Sequence, residues 1–472
     1  MNHTYTVFRI QYALFKREKG MALFYLLSIA LIGIIAPVFL HSVGSSLIMA
    51  ALVTIIFLKP IISDSLAGER EQRTLEPLLS TSIKGKSILW GKAQFCLLFA
   101  VGFFTMAVVC AVLVNRIAGY RLPLQLWQWI GIVLLIVPGF SAITITGIYA
   151  SAMSENLRIA GSRVSRISYP LGLLLVVYFS VVFTGQFMPT LMTGFALITV
   201  YLCIIIRYAV KVSRMEQSNY FEEIKRSGKP YESPVSYGAS KSQFGIVFRY
   251  EMKYVLTLKI LMINFLGLCF APVAMVCLLA YYTGEINLNY AVLITILMIP
   301  RVPTNLIAYS IGGEKVYKTG ESLLATPLRT RAIFVAKCMV PILISLLMLI
   351  LSSSLTLAGA NILRGFIPIA AKSYIYNAEQ LVLLFPVGMM SCTIMVFMAG
   401  ILSVVMKTPR QGLYASSLLG AVFVVPALAI VYLAQNRLLW SGMYFAVLLA
   451  GSVLCLKCIS GKISRPQIMG KL

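Results

Sequence analysis

The sequence predicts an all-α polytopic membrane protein of about 12 transmembrane helices, arranged as two parallel six-helix repeats. Three observations carry this. Of the 472 residues, 59% are hydrophobic and only 12% charged, against about 25% charged in a soluble domain. Apolar runs of about 20 residues, enough to cross about 30 Å of hydrocarbon, recur along the whole length. A charged stretch between two such runs, 68–92, has a counterpart at 313–337.

The first six predicted spans are 21–40, 44–63, 94–114, 127–150, 168–187 and 189–209. The second six are 260–281, 287–309, 338–359, 380–404, 412–433 and 440–457. The run 21–40 is long for the core of a signal peptide and starts late, so it reads as a retained helix although Ser42-Val43-Gly44 resembles a cleavage site. The longest polar stretch, 211–241, holds charges of both signs with Gly228, Pro230 and Pro234. It reads as a cytoplasmic connector between a first half, 1–210, and a second half, 242–472.

Net charge is +25. Lys and Arg concentrate in cytoplasmic loops of membrane proteins. With both termini inside, the outer loops hold only Arg116, Arg121, Arg364, Lys372 and Arg437, and 35 of the 40 basic residues fall inside. Both termini are therefore expected on the cytoplasmic side of the cell membrane. No basic stretch is interleaved with aromatics as a nucleic-acid surface requires, so no nucleic-acid partner is expected. Cys455 and Cys458 have metal or redox spacing, but they stand alone at a span end. The two His, His3 and His41, make a His-based centre improbable. No metal site, catalytic residue or cofactor is expected on the chain.

Each half opens on a mixed apolar and basic stretch, TVFRIQYALFKREKG and GIVFRYEMKYVLTLK. At helical spacing these suit helices lying in the membrane interface, charges toward lipid phosphates.

The duplicated loop carries the most information. Glu69 and Glu314, Arg73 and Lys318, Glu76 and Glu321, and Lys92 and Lys337 are each 245 positions apart, and nine of the 25 residues are identical. Internal duplication is the simplest account. Glu69, Arg73 and Glu76 are spaced i, i+4, i+7 and would share one helix face, with Leu75, Leu78 and Leu79 on another. The second copy repeats the stripe with Glu314, Lys318 and Glu321, followed by Leu323 and Leu324. Pro77 would kink or restart such a helix. A solvated charged loop would not need the same leucine pair and charged stripe twice; a docking surface would.

GEREQRTLEPLLSTSIKGKSILWGK resembles the hallmark of ABC-2 type permeases, the membrane subunits of a class of ATP-driven exporters. Their loop after the second span reads roughly E-x-x-x-G-T-L-E-x-L-L-x-[ST]-P, then a turn and G-K. Glu69, Thr74, Leu75, Glu76, Leu78, Leu79, Thr81, Gly91 and Lys92 match; Arg73 and Ser82 depart from it. The second copy keeps Glu314, Thr319, Glu321, Leu323, Leu324, Thr326, Pro327 and Lys337, with Gly320 and Ala336 as departures.

The resemblance implies that each loop is a coupling helix docking on an ABC ATPase subunit, with Lys92 and Lys337 anchoring loop to span. One chain would supply both coupling helices to two ATPase copies, which carry the ATP and Mg. The chain itself would not be an enzyme. Gly85-Lys86-Ser87 gives the last letters of a P-loop, but Ser80 stands where its first Gly belongs. The cargo expected is apolar or amphipathic (a peptide, a lipid-like or a drug-like molecule), moved outward.

Two rivals share features. A major-facilitator carrier also has two parallel six-span halves, and Asp64, Gly68 and Arg70 brush its motif after span two. The spacing is one residue too long, however, and Tyr309 replaces the acid in the second copy. Such carriers usually keep an acid mid-span, and none is predicted here. A scaffold or immunity factor would leave the paired loops without a purpose.

Overall fold

The computed structural model describes residues 3–17, 43–71, 74–79, 83–117, 124–154, 157–183, 185–214, 243–257, 265–270, 272–274, 288–316, 330–364, 375–405 and 436–462, with isolated positions elsewhere. Every regular element among them is helical. The chain divides into two compact units, Met1–Glu232 and Ser233–Leu472.

In the first unit, α1 spans His3–Arg17 and α2 Val43–Ser63. A π turn, Asp64–Gly68, and one further turn, Glu69–Glu71, continue α2. The short α3 is Leu75–Leu79. Then come α4 (Gly85–Ile117), α5 (Leu126–Ala152), α6 (Leu157–Phe183) and α7 (Phe187–Ser213). Helices α2, α5 and α6 pack on one another; α4 joins them and carries α1, while α7 covers α5 and α6.

Small residues permit this closeness, as helices packing without water require. A Cβ on Gly172 of α6 would fall 2.5 Å from Ile55 Cδ1, and one on Gly147 of α5 would fall 2.7 Å from Ile62 Cγ2. Gly185, at φ 72°, makes the tight turn between α6 and α7, where a side chain would be strained.

The unit has two distinct poles. At one, Trp127 packs edge-on against Phe187 at 5.3 Å, and Gln128 Nε2 donates to the Val182 carbonyl at 2.7 Å. At the other, Lys211 lies over the rings of Tyr208 and Tyr149, Lys59 lies over Tyr169, and Arg70, Lys92 and Arg163 are clustered.

In the second unit, α8 is Gln243–Thr257, α9 Leu288–Met298, α10 Arg301–Val316, α11 Thr330–Arg364, α12 Ala378–Val405 with a π turn at Leu383–Val387, and α13 Arg437–Lys462. Helix α12 packs on α10, α11 and α13, and α8 lies on α11.

Seven helices among the described residues are long and apolar enough to cross a membrane: Gly85–Ile117, Leu126–Ala152, Ile159–Phe183, Phe187–Ser213, Arg331–Ile362, Ala378–Val405 and Arg437–Lys457. They take in the predicted spans 94–114, 127–150, 189–209, 338–359, 380–404 and 440–457, and most of 168–187. In α4, α5 and α7, large apolar side chains such as Leu98, Met106, Leu134, Met192, Phe195 and Ile206 are exposed. Faces this apolar suit lipid better than water. The described residues are all-α, with helices long and apolar enough for a bilayer.

Two local expectations differ. The stretch 157–167, left between the predicted spans 127–150 and 168–187, is the start of α6, which runs unbroken from Leu157. Its Arg163 donates to the Met153 carbonyl and so caps the chain leaving α5. The expected span 287–309 is broken at Ile299–Pro300 into α9 and α10, because Pro300 lacks the N–H that a continuous helix needs. Apart from isolated positions, the predicted spans 21–40 and 412–433 lie outside the described residues, as does half of 260–281.

Candidate functional site: the loop anchors

The first anchor begins with an interruption in a helix. In an unbroken α2 the Ala67 N–H would bond to the Ser63 carbonyl. Instead the Ser151 hydroxyl of α5 stands between them: it donates to the Ser63 carbonyl at 2.8 Å and accepts from the Ala67 N–H at 3.2 Å. A side chain inserted into the ladder opens it, and the chain answers with the π turn Asp64–Gly68.

Opening the turn leaves the Ser65 carbonyl to accept from Lys92 Nζ of α4. The Lys92 side chain is 1% exposed, and its ammonium lies 2.5 Å from Glu69 Oε2. The next residue, Arg70, reaches the other way. Its guanidinium donates to the Ala152 carbonyl at 2.9 Å and to the Ser154 carbonyl, capping the last turn of α5. Two adjacent loop charges thus tie the loop to two long helices, α4 and α5.

The expected single helix through Glu69, Arg73 and Glu76 does not form. Glu69 belongs to the turn that ends α2, where Thr74 N–H donates back to its carbonyl at 2.9 Å, and α3 starts afresh at Leu75. Pro77 supplies the reason. As the third residue of α3 its missing N–H has no partner to lose, whereas one helix over 69–79 would need that N–H. Leu75 is buried and Leu78 half-buried. Glu76 and Leu79 are in α3; their side chains, and all of Arg73, lie outside the described residues.

Helix α1 crosses the start of α4 beside this anchor. A Cβ on Gly91 would fall 2.7 Å from the Thr4 carbonyl oxygen and 2.8 Å from Val7 Cβ. Phe8 and Phe15 pack on Phe95, and Phe15 also on Phe99, at 5.4–6.2 Å between ring centres.

The second unit builds an anchor from the same register. Lys337 Nζ lies 2.7 Å from Glu314 Oε1 and 2.5 Å from Glu251 Oε1, and donates to Ser310 Oγ at 2.9 Å. The Ser310 hydroxyl donates in turn to Glu251 at 3.1 Å. Helices α8, α10 and α11 therefore meet on one buried ammonium. Beside it Val247 packs with Ile333 and Ala336. Lys318, Glu321, Leu323 and Leu324 lie outside the described residues.

Sequence reasoning assigned no anchoring role to Arg70, Ser151, Ser310 or Glu251. Two of these left a signal. Ser65 and Ser310 are 245 positions apart, like the pairs around them, and Glu251 is an acid within an otherwise basic amphipathic stretch. Ser151 left none.

Among the described residues no group of three or more His, Cys, Asp or Glu is placed to hold a metal ion. No family model matches the chain. No curated protein matches it either.

Proposed function

We propose that this chain is the membrane-spanning permease of an ATP-driven exporter of ABC-2 type, made of two parallel six-span halves fused in one polypeptide. The observation that carries the reading is the repeated anchor. Glu69 with Lys92, and Glu314 with Lys337, pair at positions 245 apart, each at the root of the charged loop. A loop that only had to stay solvated would have no use for a buried lysine at its root, since burying a charge is costly unless it is paired. A loop that must transmit force has such a use: Glu69 ties it to α4 and Arg70 ties it to α5.

In this reading the surfaces that dock on the ATPase are Glu76, Leu78 and Leu79 with Arg73 in the first loop, and Lys318, Glu321, Leu323 and Leu324 in the second. Glu69 and Glu314, turned toward their lysines, transmit rather than dock. ATP and Mg belong to the partner, one ATPase copy per loop. The termini and loops face the cytoplasm, in keeping with the basic pole of the first unit, and the apolar or amphipathic cargo moves outward across the cell membrane.

The test is a pull-down of the tagged chain from gently solubilised native membranes, read by ATP hydrolysis, with Glu76→Lys/Glu321→Lys alongside. A co-purifying ATPase that the double variant loses while remaining folded supports the reading. A folded chain that brings down no ATPase in several mild detergents overturns it in favour of an ion-coupled carrier.

A further inference from the structure

We propose that the interfacial helices of the two units are fastened by different means: α8 is locked ionically to its loop anchor through Glu251, while α1, among the described residues, is seated on its anchor by apolar contacts. Glu251 is thus a positioning residue that acts through Lys337.

The two helices share a register. Val7-Phe8-Arg9 in α1 matches Val247-Phe248-Arg249 in α8. Val7 meets Gly91, and Val247 packs with Ala336; Gly91 and Ala336 each directly precede an anchor lysine. Four residues beyond Val247, one helical turn on, stands Glu251. Four beyond Val7 stands Gln11, which carries no charge. In this register the second unit has an acid that meets its anchor lysine, and the first unit has an uncharged residue at the matching position.

The consequence is mechanical. Lys337 holds Glu251 of α8 and Glu314 of α10 on one ammonium, with the Ser310 hydroxyl bridging. Charge-assisted hydrogen bonds are short and directional, so α8 and the end of α10 move as one body. Lys92 instead ties α4 to Glu69 and to the Ser65 carbonyl. Among the described residues, α1 meets its anchor through Val7 on Gly91 and the rings of Phe8 and Phe15 on Phe95 and Phe99. Apolar contacts of this kind are non-directional and let one helix slide on another. Under the coupling reading, on which this consequence rests, movement of the second loop carries its interfacial helix along and movement of the first does not.

The test reads amide hydrogen exchange of the full chain in lipid nanodiscs, with no ATPase present. Glu251→Leu leaves the neutral Lys337–Glu314 pair intact and strands no charge. It should speed exchange over 243–257 about tenfold while leaving the rest of the chain unchanged, because local opening is governed by local contacts. Glu251→Gln, which keeps an acceptor oxygen, should fall between the two. Lys92→Met/Glu69→Leu, which removes both charges of the first anchor and strands neither, should leave 3–17 as protected as before. Unchanged protection of 243–257 in Glu251→Leu, or equal release of 3–17 by Lys92→Met/Glu69→Leu, overturns the asymmetry. Exchange is read on the chain alone, so failure to find an ATPase leaves this result standing, and the reverse also holds.

Discussion

Lys92 and Glu69 form an ion pair at 2.5 Å in which the lysine is almost wholly withdrawn from solvent. Its partner lies 23 residues earlier, on the far side of the charged loop, so the pair closes the loop at its root. Removing one partner of such a pair strands the other, at about 3–5 kcal/mol. Lys92→Met should therefore lower stability by about that amount in detergent. Lys92→Met/Glu69→Leu, which removes both charges, should recover most of it. A thermal-shift series on the four proteins of this cycle checks the prediction.

Ser151→Ala removes the hydroxyl that stands between Ser63 and Ala67. With nothing inserted, the Ala67 N–H can close on the Ser63 carbonyl, and the π turn shortens to α. The residues beyond it then turn by about 100°, one α-helical position. Glu69 would swing away from Lys92. The expected signs are a modest gain or loss in melting temperature and loss of the non-additivity between Lys92 and Glu69 substitutions. If that coupling persists in the Ser151→Ala background, the hydroxyl does not set the turn.

Gly91→Leu places a side chain where the Thr4 carbonyl and Val7 already sit. Over-packing typically costs about 1–3 kcal/mol. Here the strain can be relieved by lifting α1, so the unit should stay folded while 3–17 loses protection from hydrogen exchange. Gly172→Leu, against Ile55 inside the bundle, has no such escape and should destabilise the whole first unit. Equal effects of the two changes would contradict a loosely seated α1.

The basic pole of the first unit makes a prediction about sidedness. In a chain freed of its native cysteines, single cysteines at Lys84 and at Gln125 should label from opposite faces of sealed vesicles, Lys84 from the inner one. Labelling of both from one face would overturn the assigned orientation.

The long helices were legible because their cause is local. A run of about 20 apolar residues in a bilayer must satisfy its own backbone, and a helix does so without help from elsewhere. The predicted spans 94–114, 127–150 and 189–209 accordingly fall within α4, α5 and α7. The matched positions of Glu69 with Glu314 and of Lys92 with Lys337, 245 apart, were legible too, and each acid meets its lysine in the structure.

The directions of the charges were not legible. A stripe at i, i+4, i+7 is only a stripe if one helix continues through it. Here Ser151, 88 residues from Ser63, opens the first helix, and Pro77 suits a new one. Tertiary structure alone decided that Glu69 faces inward to Lys92, that Arg70 caps α5, and that Glu251 joins Lys337 on a helix otherwise basic. Sequence by itself determined the long apolar helices among the described residues, since these follow from each segment's own composition. Which buried charges meet depends on groups brought together from different helices, and no local pattern encodes that meeting.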